Sequence, residues 1–474
     1  MKIIVATGVG KNSSGHYFDL FPSRWSATSR YHANTYYPFD LGYLSSMLKR
    51  DTDHDIKMVD GNYFGFTVDV YTDALIAEKP DLIIMEADSL TYNYDMEILK
   101  RVKEETGCKV IMCGQHPTSA PTDALKDGAD FVAIGEFQDA IVNLVQSDFD
   151  VKTRGIFPNG RAPLMDIKTL PFPEDDDISR RDYCRLYACE YRQIEMFPTR
   201  GCPVNCNYCV VRNVYHGEGN IRCRSVVNVI QEIETLLTRY PDLEGFFFNE
   251  ESHTANKKYT HQLCDAIIEA GLNEKLKFDC MCNFAALDED LLIKMKKAGY
   301  YKIRVGIETF DEDGAKEIFT GNWKKDIKKM MEVMHICRDI GMKVYGTTSV
   351  GTIGSNRETD KKTLSVIKQL HADGLLQECQ VSINTPMPGT PFYVEAKQNG
   401  WIIESDIELM DGNKGSVLDL PGYPKADIDA TFDEFRTAMR GMLRQNQDKG
   451  VNYSMYDQVW VKKVLDVTKV SETY

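Results

Sequence analysis

Two successive series of short apolar runs, each run followed by a segment with helical spacing, constrain the fold of this 474-residue chain more than any single motif. The first series comprises the runs 2–7, 55–59, 81–87, 109–113 and 131–134, with helix-spaced stretches such as 41–50 and 95–106 between them. Continuous apolar runs joined by helices predict parallel strands covered on both faces, here a doubly wound, Rossmann-like α/β sheet over 1–147. Residues 148–190 hold Gly155, Pro158, Gly160, Pro163, Pro171, Pro173 and the acidic run Glu174 to Asp177, which is linker composition. The second series, 193–198, 245–249, 277–282, 302–308, 343–350 and 380–385, predicts a partial (β/α)6 barrel over 191–392. A small helical C-terminal cap is expected over 393–474, with its clearest helix at 431–447 and an aromatic-rich end at 453–470. The polar and aromatic stretch 8–38 breaks the first rhythm and predicts a functional loop.

A net charge of -15 argues against DNA or bulk RNA as partner. No apolar stretch approaches the ~20 residues of a transmembrane helix, and Met1 to Thr7 reads as a buried strand rather than a secretion signal. Thirteen scattered cysteines do not resemble a disulfide framework, so a reducing cytoplasm is expected.

Three of those cysteines, Cys202, Cys206 and Cys209, share one loop at the end of an apolar strand. Structural zinc is closed by four Cys or His ligands, and no second pair stands within reach. An iron–sulfur cube held by three thiolates instead keeps one iron open to a small molecule. The Cys-x3-Cys-x2-Cys spacing with Tyr208 before the last thiol resembles the signature of the radical S-adenosylmethionine (SAM) enzymes. That resemblance implies a [4Fe-4S] cluster on the three cysteines, SAM on its open iron, and Tyr208 against the adenine.

Further segments carry the likeness. Asn249-Glu250-Glu251 stands where the family holds the methionyl ammonium, although the usual Gly-Gly-Glu is absent. Gly306-Ile307-Glu308 resembles the segment that turns a carboxylate toward SAM, Pro386 to Pro391 the barrel-closing motif, and Val350 to Gly354 the glycine-rich turn after the fifth barrel strand. In Asp279-Cys280-Met281-Cys282-Asn283 strand alternation puts the two cysteines on one face, where they read as core rather than ligands.

The first domain matches no phosphate loop: Gly8-Val9-Gly10-Lys11 lacks the spacing of either Walker A or GxGxxG. It resembles the cobalamin-binding domain fused to many radical SAM enzymes, through Pro38 to Leu44, Asp60, Gly114-Gln115-His116-Pro117 and Gly135-Glu136. The resemblance implies that these strand-end residues cradle a corrinoid, with the loop Asp88 to Asn93 at its lower face. The Asp-x-His-x-x-Gly motif that supplies a histidine to cobalt is not met, which implies base-off binding.

The expected protein is therefore a cobalamin-dependent radical SAM enzyme, most readily a C-methyltransferase. One SAM would supply the 5'-deoxyadenosyl radical and a second the methyl group carried by cobalamin. A small molecule, lipid or peptide is the expected substrate, and flavodoxin or ferredoxin the expected electron donor. Cyclisation, rearrangement or oxidation without methyl transfer stays open, as do a first domain that no longer binds cobalamin and a non-catalytic metal or redox-sensing protein.

Overall fold

The computed structural model describes residues 1–21, 24–29, 36–183, 187–313 and 326–453. Strand β1 (Lys2–Ala6) leads into an antiparallel hairpin, β2 (Tyr17–Phe21) and β3 (Trp25–Ser29), within the stretch expected to be loop. Both faces of the hairpin are covered: Phe18 and Leu20 pack into the core of the first domain, while Phe21 and Ala27, on the other face, turn to the interdomain cavity. The chain then forms β4 (Asp55–Val59), β5 (Leu82–Glu86), β6 (Lys109–Cys113) and β7 (Phe131–Val132), paired in parallel in the order β4-β1-β5-β6-β7. Helices cover both faces, and Ile3, Ile4, Val5 and Leu82 to Met85 are fully buried, which is why these runs are apolar without alternation. Strand order reverses at β1, so the carboxyl ends of β1 and β5 form the crevice where such sheets bind ligands.

The linker crosses to a second parallel sheet. Strand β8 (Gln193–Met196) starts it, β9 (Thr199–Arg200) and β10 (Arg222–Cys223) form a short ribbon around the cysteine loop, and the sheet resumes. The remaining strands are β11 (Gly245–Phe248), β12 (Lys277–Cys282), β13 (Tyr300–Glu308), β14 (Lys343–Val350) and β15 (Glu378–Ile383). They lie in sequence order from β8 to β15, a six-stranded half-barrel. Its helices carry their own start signals: Asp288 accepts from Leu291 N at 3.0 Å, and Asn356 accepts from Glu358 N and Thr359 N at 2.9 and 3.1 Å. Pleating sends Phe246, Phe248, Phe278, Cys280 and Val305 outward into one core with the helices, while Phe247, Asp279, Met281 and Arg304 turn into the lumen.

The expected boundary at 392 falls inside the helix Pro391–Gln398. The cap's main element is the helix Lys425–Asp448, longer than the expected 431–447, and it packs on β15. Residues 454–470 of the expected aromatic end lie outside the described residues. Among the described residues no helix is long and apolar enough to cross a membrane.

A buried charge cluster fixes the two sheets relative to each other. Glu232 on the helix Val226–Arg239 takes Arg180 of the linker at 2.6 Å and Arg224 at 2.5 Å, all three with side chains at most 1% exposed. Arg180 also lies over the rings of Tyr37 and Phe39 from the first domain, at 5.5 and 5.7 Å.

Candidate active site

A cavity of about 390 Å³ opens at the carboxyl ends of the barrel strands. Cys202, Cys206 and Cys209 line one wall, Asn249, Glu251, Gly306 and Glu308 the strand ends, and Phe21, Arg24, Ser26 and Ala27 of the hairpin the roof. A larger groove of about 650 Å³ lies outside, between the helix Gln138–Gln146 and the linker, and gathers no such set of thiols and acids.

The cysteine loop is anchored at both ends by main-chain and carboxylate bonds. Gly201 N, just before Cys202, donates to Glu251 Oε2 at 3.0 Å, and Asn213 Nδ2 donates to the carbonyls of Cys206 and Cys209 at 2.9 and 2.7 Å. Gly201 is required as glycine: its φ is +99°, and a Cβ would lie 2.0 Å from Asn220 Oδ1. The three thiols face one space with no fourth cysteine in the loop, as a cluster with one open iron requires, and the residues therefore fit the group.

Glu308 ends β13 with φ +58°, a left-handed conformation that costs a non-glycine residue roughly 1 kcal/mol or more. A register shift against β14 between Gly306 and Glu308 produces it, and Thr348 Oγ1 holds the Glu308 carbonyl at 2.6 Å. The carboxylate so directed takes Ser349 Oγ at 3.0 Å and the Tyr208 hydroxyl. Gly306 stands in the lumen with it.

Alternation after β11 divides the acidic triplet. Asn249 and Glu251 line the cavity, whereas Glu250 turns behind the strand, fully buried, to His253 Nδ1 at 2.6 Å and Thr199 Oγ1 at 3.2 Å. Glu250, expected beside the cofactor with its neighbours, thus lies off the cavity lining. Asn249 donates to Glu195, a buried carboxyl that desolvation pushes up to about 7 against that bond. The lumen floor is Arg304, which donates to Asp279 Oδ2 through Nε and an NH2 at 2.9 and 2.7 Å and lies 4.2 Å from the Phe247 ring centre and 4.9 Å from that of Tyr345.

The strand-end residues of the first sheet are placed differently from expectation. Gly114 has φ +100°, and a Cβ there would lie 2.7 Å from Ala87 O; a Cβ at Gly135, with φ +77°, would lie 2.5 Å from Arg161 and 3.1 Å from Tyr215 O. Both glycines thus stand where the chain's own atoms approach closely. Glu136, expected beside the corrinoid, is instead spent on the barrel: it accepts from Arg222, from Met165 N at 3.1 Å and from His216 Nδ1 at 2.5 Å. Burial opposes its charge, yet those cations hold it down at about 2. The His116 ring packs tilted against Tyr92, with centroids 4.2 Å apart, and meets Ser89 Oγ at 3.2 Å, and desolvation lowers it to about 4, so it is neutral. Pro117 is buried in the short helix Gln115–Ser119. The loop expected under the corrinoid is closed by Asp88, which caps Leu90 N at 2.8 Å and takes Ser26 of the hairpin.

Cobalamin still has complementary groups at this edge. Both carboxyl oxygens of Glu86 and Nε2 of Gln115 are buried without a hydrogen-bond partner among the described residues, at the ends of the neighbouring strands β5 and β6, and amide side chains of a corrinoid would satisfy them. The segment with the motif's Asp and Gly spacing is Asp60-Gly61-Asn62-Tyr63-Phe64-Gly65, with Asn62 in the histidine position and its Nδ2 on Phe18 O at 2.8 Å. His216, Glu195 and Arg24 carried no sequence signal, because only the fold brings them to the cysteine loop.

A half-barrel with three loop thiols beside acidic strand ends defines a radical SAM enzyme. The family model of the radical SAM superfamily matches residues 196–397, and that of the B12 binding domain matches 31–145. The chain belongs to the radical SAM enzymes that carry a cobalamin-binding domain. It is 24% identical to an uncharacterized methyltransferase of Pyrococcus horikoshii over 81% of this chain and 83% of the relative. It is 23% identical to an anaerobic magnesium-protoporphyrin IX monomethyl ester cyclase of Cereibacter sphaeroides over 83% of this chain, spanning 64% of that longer protein. The fold is similar to that of the radical SAM methyltransferase TsrM from Kitasatospora setae, with a TM-score of 0.65 at 14% identity over 85% of this chain and 77% of that one.

Proposed function

We propose that the protein is a cobalamin-dependent radical SAM methyltransferase acting on an unactivated carbon of a small molecule, lipid or peptide in a reducing cytoplasm. The observation that carries this reading is the single cavity shared by Cys202, Cys206, Cys209, Glu251 and Glu308 beneath the seam with the first domain. When bound, the cluster with SAM supplies a 5'-deoxyadenosyl radical, and cobalamin supplies a transferable methyl group.

The chain's residues would bind and orient. Asn249 and Glu251 would take the methionyl ammonium, Glu308 the polar edge of SAM, and Tyr208, fixed by its bond to Glu308, would pack beside the adenine. Phe247, Tyr345, Met281 and Met410 give the cavity apolar walls that exclude water from a carbon radical. A cavity of about 390 Å³ does not accommodate SAM, substrate and a corrinoid together. Cobalamin would therefore enter as the hairpin β2–β3 parts from Asp88 and Asn62, and Glu86 and Gln115 would then gain partners. A one-electron donor such as flavodoxin or ferredoxin is required.

The test is SAM carrying a CD3 methyl, given anaerobically with a low-potential reductant to protein loaded with cluster and cobalamin. Methyl transfer predicts S-adenosylhomocysteine and CD3-cobalamin together with 5'-deoxyadenosine. 5'-Deoxyadenosine alone would favour a reaction without methyl transfer, and no SAM consumption would refute the radical SAM reading.

A further inference from the structure

His216 ends the π-helical turn Val211–His216, directly after the cysteine loop, and its side chain is fully buried. It stands between two carboxylates from different domains. Nδ1 meets Glu136 Oε1 at 2.5 Å, and Nε2, without a hydrogen-bond partner among the described residues, faces Glu251 Oε1 at 3.7 Å. Burial alone would strip the proton, but both carboxylates favour the imidazolium and raise its affinity for that proton.

The two carboxylates differ in what else holds them. Glu136 is already satisfied by Arg222 and Met165 N, so a clamp at the domain seam does not need His216. Glu251 gives Oε2 to Gly201 N at 3.0 Å, while Oε1 comes no closer than 3.7 Å to either His216 or Arg24. That oxygen is oriented by positive charge yet left free to take a closer donor from the cavity. We propose that His216 is a positioning residue which, braced by Glu136 of the first domain, sets the Glu251 carboxylate to receive the ammonium group of SAM. Affinity for SAM then depends on the docking of the cobalamin-binding domain, because the brace crosses the seam. The inference rests on the assignment of Glu251 to SAM given above.

The experiment uses the full chain with its cluster reconstituted anaerobically and SAM itself as the probe, bound at equilibrium without turnover. His216→Gln should keep about four irons per chain and lose SAM affinity about tenfold, or roughly 1.4 kcal/mol. Glu251→Gln should lose a similar factor, and the double variant should bind no worse than Glu251→Gln alone, because one residue acts through the other. Additive losses, or native affinity in His216→Gln beside a loss in Glu251→Gln, would overturn the inference while leaving Glu251 in its place. Native affinity in Glu251→Gln would overturn the assignment of Glu251 and the inference with it. Loss of iron in His216→Gln would show a support for the loop fold and also overturn it. If His216→Gln does not fold, Glu136→Gln probes the brace from the other side: about a threefold loss with iron intact is expected, and unchanged affinity refutes the coupling.

Discussion

Replacing Glu232 by Ala should be among the most destabilising changes outside the cavity. Its carboxylate lies between the guanidinium groups of Arg180 at 2.6 Å and Arg224 at 2.5 Å, and none of the three side chains is more than 1% exposed. Desolvation of such a group is compensated only while its partners remain, and breaking a buried cluster from one side costs about 3–5 kcal/mol. Two guanidinium groups would then be left without their carboxylate, Arg180 keeping the Glu195 carbonyl at 2.8 Å and the Tyr37 and Phe39 rings, and Arg224 keeping Asn228 and a long contact to Tyr43. At about 2–4 °C per kcal/mol for a domain of the barrel's size, the melting temperature should fall by roughly 6–20 °C. Far-ultraviolet circular dichroism on heating gives that number. The same cluster has a pH signature: burial opposes the charge on Glu232, but the two arginines hold its proton affinity below the ordinary carboxylate value. Its stabilising share is therefore complete above the unfolded-state value and lost as pH falls through the folded one, so the gap between native and Glu232→Ala should narrow in acid. A fall of less than about 2 °C at neutral pH would refute the reasoning.

Three more outcomes follow from the site. Replacing Cys202, Cys206 and Cys209 together with Ala should remove bound iron and the ~400 nm absorption shoulder of an iron–sulfur cluster, and iron retained in full would contradict the ligand set. Gly114→Val should destabilise the first domain by about 1–3 kcal/mol in urea, through a disfavoured φ and the clash with Ala87 O; a variant as stable as the native chain would show that this turn tolerates a side chain. Desolvation, with Asp88 adding to it, raises Glu86 to about 8. The folded state thus keeps a proton the unfolded state gives up, and stability falls as pH rises from the ordinary carboxylate value toward 8. Glu86→Gln should flatten that fall, gaining at least about 1 kcal/mol at pH 8 and little at pH 5; parallel pH profiles would place the carboxyl in contact with solvent.

Much of this fold was legible because its strands are buried on both faces, so the apolar runs at 2–7, 81–87 and 109–113 needed no partner information to be recognised. The cysteine loop was legible for a different reason: all three cysteines lie within eight residues, and the spacing alone carries the chemistry proposed for them. The hairpin β2–β3 has no such run: its five-residue strands mix polar and aromatic residues, and Asp19 is buried beside Phe18, Leu20 and Phe21, so no apolar pattern announces them. Glu250 and Glu251 are equivalent as sequence, and the pleat alone decides that one meets His253 and the other the cavity. Glu136 looked like a ligand residue because it follows a strand at the binding edge of the first sheet. Its partners Arg222 and His216 come from 86 and 80 residues away, beyond any local pattern. The same long-range assembly hid the Arg180–Glu232–Arg224 cluster.

Metal analysis of the full chain, made anaerobically with cobalamin supplied, tests the pairing of the two cofactor domains most directly. About four iron atoms and about one cobalt per chain are expected, with the cobalamin base-off in its optical spectrum, since Asn62 stands in the place of a histidine ligand. Full iron with no cobalt would contradict it: the first domain would then be a scaffold over a cobalamin-free radical SAM barrel, and the methyltransferase assignment would fall.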